Sequence, residues 1–370
     1  MKIGVLTSSR ADFGIYLPLL KTLREDDFFE LELIVFGTHL SKFHGYSLQQ
    51  ILDEGFEVKH EIHQMIMTDE PISTATSYSL TAMKFAEFWG NHSFDCVFCL
   101  GDRYEMAAAV AAGIPFNVPF AHIHGGETTL GAIDNVYRHS ITLVSKWHFV
   151  TAEPYKKKVI ELTGSDTNCV VTGSLSLVNL HQIPLLNINE FKNKWGIDLS
   201  LPSVLITLNP ETVAYQNNEY FASEAIDAFK VLSNEYQLII TMPNSDTSGT
   251  IYRKAYQKLK YYNPEKVLLI ENFGTQSYFS CMKNVGLVLG NSSSGIIEAA
   301  SFGKYVIDIG DRQKGRLRGN NVIHVNFNSS DILTRTKQFF GKLNTEPNIF
   351  ENKKSVEIIT NTLKISSEAI

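Results

Sequence analysis

Three carboxylates and two imidazoles in the first half of the chain have the types and spacing for proton transfer. Asp102 follows an apolar run in Gly101-Asp102-Arg103, and His122, His124 and Glu127 stand together in His122-Ile123-His124-Gly125-Gly126-Glu127. Asp134 comes next, with Arg138 and His139 on the same predicted helical segment. Carboxylates and imidazoles gathered in a water-poor site serve general acid–base chemistry, because burial and neighbouring charge separate their pKa values. Plainer readings stand beside this one: Asp134 as the cap of a helix beginning near Asn135, and His122 as a hydrogen-bonded histidine at a strand end. The His-x-His-Gly-Gly-Glu run also has metal-ligand types, but its glycines and the lack of further ligands argue for no metal.

A second set of residues suits an anion. Gly290-Asn291-Ser292-Ser293-Ser294-Gly295 follows the apolar run Val285 to Leu289 and opens a predicted helix carrying Glu298 about one turn in. Glycine lets a ligand approach the backbone, hydroxyls donate hydrogen bonds, and free N–H groups at a helix start favour phosphate. No Gly-Lys-Ser/Thr closes this loop, so it is not a Walker A motif. Its Ser and Asn side chains have simple helix capping as their alternative. Glu298 is placed to reach ribose hydroxyls, with the alternative that an exposed Glu near a helix start is favourable without any ligand. The next strand ends in Asp308-Ile309-Gly310-Asp311-Arg312, and Arg312, Lys314, Arg316 and Arg318 put four cations into seven residues of an acidic chain. Arg312, nearest the strand end, is the expected phosphate ligand, since a guanidinium contacts phosphate oxygens bidentately, and a solvated basic loop is the alternative for the cluster, Arg318 included. Arg10, in Ser8-Ser9-Arg10-Ala11-Asp12, and Arg103 offer the same chemistry in the first half.

These residues sit at the ends of short apolar runs that alternate with longer helix-like segments, the pattern of parallel strands covered on both faces. Strands are predicted at Ile3 to Leu6, Leu33 to Phe36, Cys96 to Leu100, Val118 to His122 and His148 to Val150. A second series follows at Val204 to Thr207, Leu238 to Thr241, Val267 to Ile270, Leu287 to Leu289 and Tyr305 to Ile309. Asp95-CVFCLGDRYEMAAAVAAGIP and Val285-GLVLGNSSSGIIEAASFGK echo each other as strand, Gly-polar turn and small-residue helix. The expected fold is therefore α/β, two Rossmann-like domains with parallel sheets facing across a cleft, and ligands beyond the carboxyl ends of the strands. We place the N-terminal domain at 1–178, the C-terminal domain at 179–351, and a polar amphipathic helix at 352–370.

Bulk properties set limits. A chain of 370 residues, 44% hydrophobic and 19% charged, exceeds what one core organises and fits a fully folded protein of two domains. A net charge of -6 gives no general attraction for nucleic acid or an anionic membrane, so neither is an expected partner. The N-terminus turns polar by Thr7, and no later stretch is apolar enough to span a bilayer, which leads us to expect a cytoplasmic protein. Cys96 and Cys99 form a C-x-x-C, but they lie in a predicted buried strand without a second ligand pair, against a redox or zinc role.

Taken together, SSRADFG, LGDRYE, HIHGGE, IDNVYRHSITLVSK, NSDTSG, GNSSSGIIE and IGDRQKGR resemble, in order and over almost the whole chain, the hydrolysing UDP-N-acetylglucosamine 2-epimerases of sialic-acid biosynthesis. The resemblance implies a GT-B-like pair of Rossmann domains, no cofactor, and a homo-oligomer, either dimer or tetramer. It also implies a reaction: a base takes the proton on sugar carbon 2, UDP leaves carbon 1 to give 2-acetamidoglucal, and water adds to release N-acetylmannosamine. By position in the matching motifs, Asp102 and Asp134 inherit acid–base roles, with Glu127 and His124 beside them. Arg10 and Arg103 inherit contacts to nucleotide or diphosphate, and Asn244, Ser292, Ser293, Glu298 and Arg312 inherit UDP binding. Two departures stand out. His124 replaces a Glu of many relatives, so His124 or nearby Glu127 takes that function. Asn209, in Leu208-Asn209-Pro210-Glu211-Thr212, replaces a His that relatives place before Pro; it can bond a substrate oxygen but cannot shuttle a proton. The alternatives are a 2-epimerase acting on UDP-2,4-diacetamido-2,4,6-trideoxyglucose of legionaminic-type pathways, a GT-B glycosyltransferase, and a UDP-sugar sensor without turnover.

Overall fold

The computed structural model describes residues 1–42, 46–64, 66, 70–243 and 248–368. The chain divides into two units: unit 1 is Met1–Glu127, Asp134–Asn179 and Phe350–Ile370, and unit 2 is Thr128–Ile133 and Leu180–Ile349. The excursion Thr128–Ile133 into unit 2 has no boundary signal in the sequence.

In unit 1, β1 (Lys2–Thr7), β2 (Glu30–Phe36), β3 (Val58–Ile62), β4 (Cys96–Leu100), β5 (Phe120–Ile123), β6 (Trp147–Val150) and β7 (Cys169–Val171) form a parallel sheet in the order β3-β2-β1-β4-β5-β6-β7. The helices are α1 (Arg10–Glu25), α2 (Leu48–Asp53), α3 (Pro71–Asn91), α4 (Tyr104–Gly113), α5 (Asp134–Val144), α6 (Glu153–Thr163) and α7 (Leu175–Gln182), which runs on into unit 2. Alternate strand residues separate into two cores, as a twofold side-chain period requires. Ile3, Val5, Leu33 and Val35 join Phe13, Leu17 and Leu20 of α1 on one face. Leu6, Ile34, Phe36 and Val97 join Phe85 and Trp89 of α3 and Met106 of α4 on the other. Cys96 and Cys99 are buried in β4, and burial pushes the Cys99 thiol up to about 12, which leaves it inert.

Unit 2 repeats the plan. Its strands β8 (Ser203–Thr207), β9 (Gln237–Thr241), β10 (Val267–Ile270), β11 (Leu287–Gly290), β12 (Val306–Ile309) and β13 (Val322–Val325) pair in parallel in the order β10-β9-β8-β11-β12-β13. Its helices are α8 (Ile188–Trp195), α9 (Asn218–Glu235), α10 (Gly249–Tyr262), α11 (Gly274–Asn284), α12 (Ser293–Ile297) and α13 (Ser329–Phe339). The final helix, α14 (Ser355–Glu368), belongs to unit 1, where Ile359 and Leu363 enter the core of Ile3 and Val5. Strand order reverses direction between β1 and β4 in one unit and between β8 and β11 in the other, which marks the places where open α/β sheets bind ligands. Among the described residues no helix is long and apolar enough to cross a membrane.

Candidate active site

The reversal point of unit 1 is flanked by the turns after β1 and β4. After β1, the Asp12 carboxylate accepts from the Ser8 N–H at 2.9 Å, the Ser8 hydroxyl at 2.8 Å and the Ser9 hydroxyl at 2.7 Å. Ser9 caps α1 in return, so this turn is fixed and presents Arg10 at the first helical position. After β4, Gly101 turns with φ +76°, a left-handed conformation that glycine adopts without strain, and Asp102 and Arg103 follow half-buried. Arg103 bonds through Nε to Glu105 Oε1 at 2.5 Å, inside its own turn.

Around the β5 turn, one buried guanidinium gathers two of the acid–base candidates, Asp102 and Glu127. Arg138 on α5, only 2% exposed, donates to the His124 carbonyl at 2.9 Å, to Glu127 Oε2 at 3.4 Å and to the Asp102 carboxylate. Glu127, 1% exposed, accepts from the Thr151 hydroxyl at 3.1 Å and lies 2.9 Å from His124 Nδ1. A carboxylate accepts, so the His124 proton is assigned to Nδ1, and the Nε2 lone pair is directed to the side where the Ser174 hydroxyl lies at 3.5 Å. His124 holds a φ of +65°, uncommon outside glycine and a mark of a constrained site. Asp134 opens α5 and lies one turn from Arg138, on the same face of the helix. His122 takes the plainer of its two readings. Its Nε2 bonds the Gly101 carbonyl at 2.9 Å, its Nδ1 lies 3.1 Å from the Thr142 hydroxyl, and burial lowers its pKa to about 3. It is a neutral support for the Gly101 turn. Among the described residues, no three His, Cys, Asp or Glu side chains are grouped as metal ligands.

In unit 2 the turns after β8 and β11 are stitched together by a reciprocal pair: Asn209 N–H donates to Asn291 Oδ1 at 2.8 Å, and Asn291 Nδ2 donates to the Asn209 carbonyl at 2.9 Å. Gly290 has φ +132°, and a Cβ there would stand 2.0 Å from the Thr207 carbonyl, so this position admits only glycine. Ser292 caps α12 by accepting from the Ser294 N–H. Tyr278, whose hydroxyl is held protonated by burial at about 12, lies 2.7 Å from the Ser294 hydroxyl, and that hydroxyl lies 3.0 Å from Ser292. The α-helix is shorter than the sequence suggests. It ends at Ile297, so buried Glu298 stands at its C-terminal boundary, before a 3-10 turn at Ala299–Phe302, and not inside a continuous helix.

The cation-rich loop is largely self-bonded. Lys314 pairs with Asp311 at 3.2 Å, Arg316 donates to Gln313 at 2.8 Å, and Arg318 pairs with buried Asp308 at 3.3 Å. Arg312 is half-buried in this loop. Gln313 donates to the Asn291 carbonyl at 2.8 Å, and Glu211 accepts the Asp311 N–H at 2.6 Å, which joins the loop to the serine turn and to the β8 turn. Burial, opposed by that hydrogen bond, raises the Glu211 pKa. Of the expected phosphate-binding set, unit 2 thus brings Asn209, Ser292 and Arg312 into one network of turns, with Ser293 next in chain; Asn244 lies outside the described residues. Arg138 and Glu211 stand in the motifs without a role assigned to them, and Tyr278 lies outside the motifs; their bonding to the turns is what gives them a part, and it is invisible in one sequence.

Comparison with known proteins agrees with this architecture. The profile described as UDP-N-acetylglucosamine 2-epimerase matches residues 21–364. A GDP/UDP-N,N'-diacetylbacillosamine 2-epimerase (hydrolyzing) of Campylobacter jejuni is 34% identical over 330 residues, covering 89% of this chain and 85% of its own. The polysialic acid biosynthesis protein P7 of Escherichia coli is 36% identical over 325 residues, covering 88% and 82%. Among solved structures, the UDP-GlcNAc 2-epimerase of Neisseria meningitidis bound to UDP-GlcNAc superposes with a TM-score of 0.84 at 18% identity, covering 99% of this chain and 100% of that one. That likeness establishes the fold, which is α/β and GT-B-like. From the profile match and the two sequence relatives, the chain belongs to the UDP-N-acetylglucosamine 2-epimerase family.

Proposed function

We propose that the protein is a hydrolysing UDP-sugar 2-epimerase that converts UDP-N-acetylglucosamine to N-acetylmannosamine and UDP. In this reading the turns of unit 2 hold the diphosphate through Arg312, the Ser292 and Ser293 hydroxyls and backbone N–H groups, which stabilise charge as UDP departs. A carboxylate of the Asp102, Glu127 and Asp134 set takes the carbon 2 proton, the carbon 1–oxygen bond breaks, and 2-acetamidoglucal forms. Water then adds at carbon 1 while an acid returns a proton to the opposite face of carbon 2. The observation that carries the reading is the pair of carboxylates, Asp102 and Glu127, held on one buried guanidinium with the His124 imidazole against Glu127, in a chain of this family. With its Nδ1 turned to Glu127, His124 offers Nε2 as a base, which supplies the proton shuttle that Asn209 cannot.

A second substrate has an observation of its own behind it. The Campylobacter jejuni relative is named for N,N'-diacetylbacillosamine, so UDP-2,4-diacetamido-2,4,6-trideoxyglucose is the competing sugar, taken through the same steps. Both UDP-sugars are to be incubated with the protein in deuterated water without an acceptor. We expect release of UDP and a free sugar carrying deuterium at carbon 2, and the faster of the two identifies the substrate. Release without deuterium, or turnover only with an acceptor, would favour a glycosyltransferase instead.

A further inference from the structure

Between Glu127 and Asp134 the chain leaves unit 1, and the strap Thr128–Ile133 is part of unit 2. Within unit 2 the strap is held along its length. Leu130 N–H donates to the Lys314 carbonyl at 2.8 Å, and Ile133 N–H donates to Thr212 Oγ1 at 2.9 Å. Gly131 lies flat on the Arg312 loop: a Cβ there would stand 1.9 Å from the Asp311 carbonyl and 2.9 Å from the Arg312 nitrogen. Thr129 and Ala132 are buried. The β8 turn therefore holds two things with consecutive side chains, the Arg312 loop through Glu211 and the strap through Thr212.

We propose that Thr212 and Gly131 are positioning residues, which seat the strap against the Arg312 loop and thereby set the spacing of Glu127 and Asp134 at its two ends. The proposal rests on the 2-epimerase reading, in which the loop grips the diphosphate and those carboxylates act on the sugar. A six-residue strap has little slack, so an anchor lost at Ile133 is passed directly to Asp134, the next residue. The loop itself keeps its other ties, to Glu211 and Asn291, so nucleotide affinity and carboxylate placement respond separately.

The test uses the full chain. UDP binding is measured by calorimetry, turnover with the UDP-sugar that the wild type consumes, and amide exchange at Leu130 and Ile133 with and without UDP. Thr212→Val removes the acceptor at constant shape. We expect kcat to fall roughly fivefold, the scale of one lost hydrogen bond, with UDP affinity unchanged within about twofold. Thr212→Ser restores the acceptor and should restore kcat. Gly131→Ala forces the strap off the loop and should lower kcat about 100-fold, since displacements near 1 Å cost that much in aligned sites. UDP should slow exchange at both amides in the wild type, and Thr212→Val should abolish the effect at Ile133. The proposal is overturned if Thr212→Val retains wild-type kcat, if Thr212→Ser fails to restore it, if kcat and UDP affinity fall in parallel, or if UDP leaves both amides unaltered. A wild type that binds UDP with slowed strap exchange but consumes neither sugar would instead refute the 2-epimerase reading alone.

Discussion

Asp102 and Glu127 share the Arg138 guanidinium but not an environment. Glu127 is sealed, with Thr151, His124 and Arg138 around it, whereas the Asp102 side chain is 26% exposed. Two carboxylates in unlike surroundings are what a reaction needs when one group takes a proton and another returns one. Asp102→Asn keeps the shape and removes the charge. We expect kcat to fall by about 10²- to 10⁴-fold, the usual worth of a positioned acid or base, while UDP affinity measured by calorimetry stays within about threefold. Parallel loss of both would move Asp102 from chemistry to folding. These carboxylates were legible from residue type and motif alone. Arg138 was not, because nothing local distinguishes a buried arginine on an amphipathic helix from a solvated one. His122 shows the converse, a histidine of the right type in the right motif whose two nitrogens are both taken by its own unit.

At the level of elements, turns carry the site and strands only aim them. Strands buried on both faces announced themselves as apolar runs: β1, β4, β8 and β11 all lie where Val, Ile, Leu and Phe cluster. Of the four edge strands, β10 did so as Val-Leu-Leu-Ile, and the other three did not. β3 reads Val-Lys-His-Glu-Ile, β13 exposes His324, and β7 has three residues, so each is defined by its neighbour more than by its own sequence. The strap was equally silent, since its partners Thr212 and Lys314 lie far along the chain. Gly290 tests the turn argument most directly. In Gly290→Ala the methyl meets the Thr207 carbonyl, and the β8 and β11 turns must part. We expect UDP affinity to drop at least tenfold and unfolding free energy to fall by about 1–3 kcal/mol, read by calorimetry and urea titration. A variant with wild-type values for both would show that the turn tolerates the shift.

Over the whole molecule, the two units differ in how they meet acid. His39, His122 and His148 are buried in unit 1, and burial lowers their pKa values to about 4, 3 and 4. Unfolded, each would titrate near 6.5. As pH falls below about 6.5 the unfolded chain takes up protons that the folded unit refuses until pH 4 or 3, so stability declines across that window. Each histidine contributes a slope of up to about 1.4 kcal/mol per pH unit there. Unit 2 has His181 and His324, both exposed, and buries no histidine among its described residues. Hydrogen exchange from pH 7 to pH 4.5 should therefore show unit 1 opening before unit 2. Equal protection of both units at pH 4.5 would contradict this.

The chain passes between the units four times, and α14 makes its return to unit 1 after all of unit 2 has gone by. Its Ile359 and Leu363 complete the core begun by Ile3 and Val5, Lys364 pairs with Asp26 at 2.6 Å, and Ser366 receives the Trp147 indole N–H. During synthesis, then, the core around Ile3 and Val5 waits for residues made more than three hundred positions later. Once β7 is made, the apolar patch beside α1 stays uncovered while more than 180 further residues are added, until Ile359 and Leu363 arrive to close it.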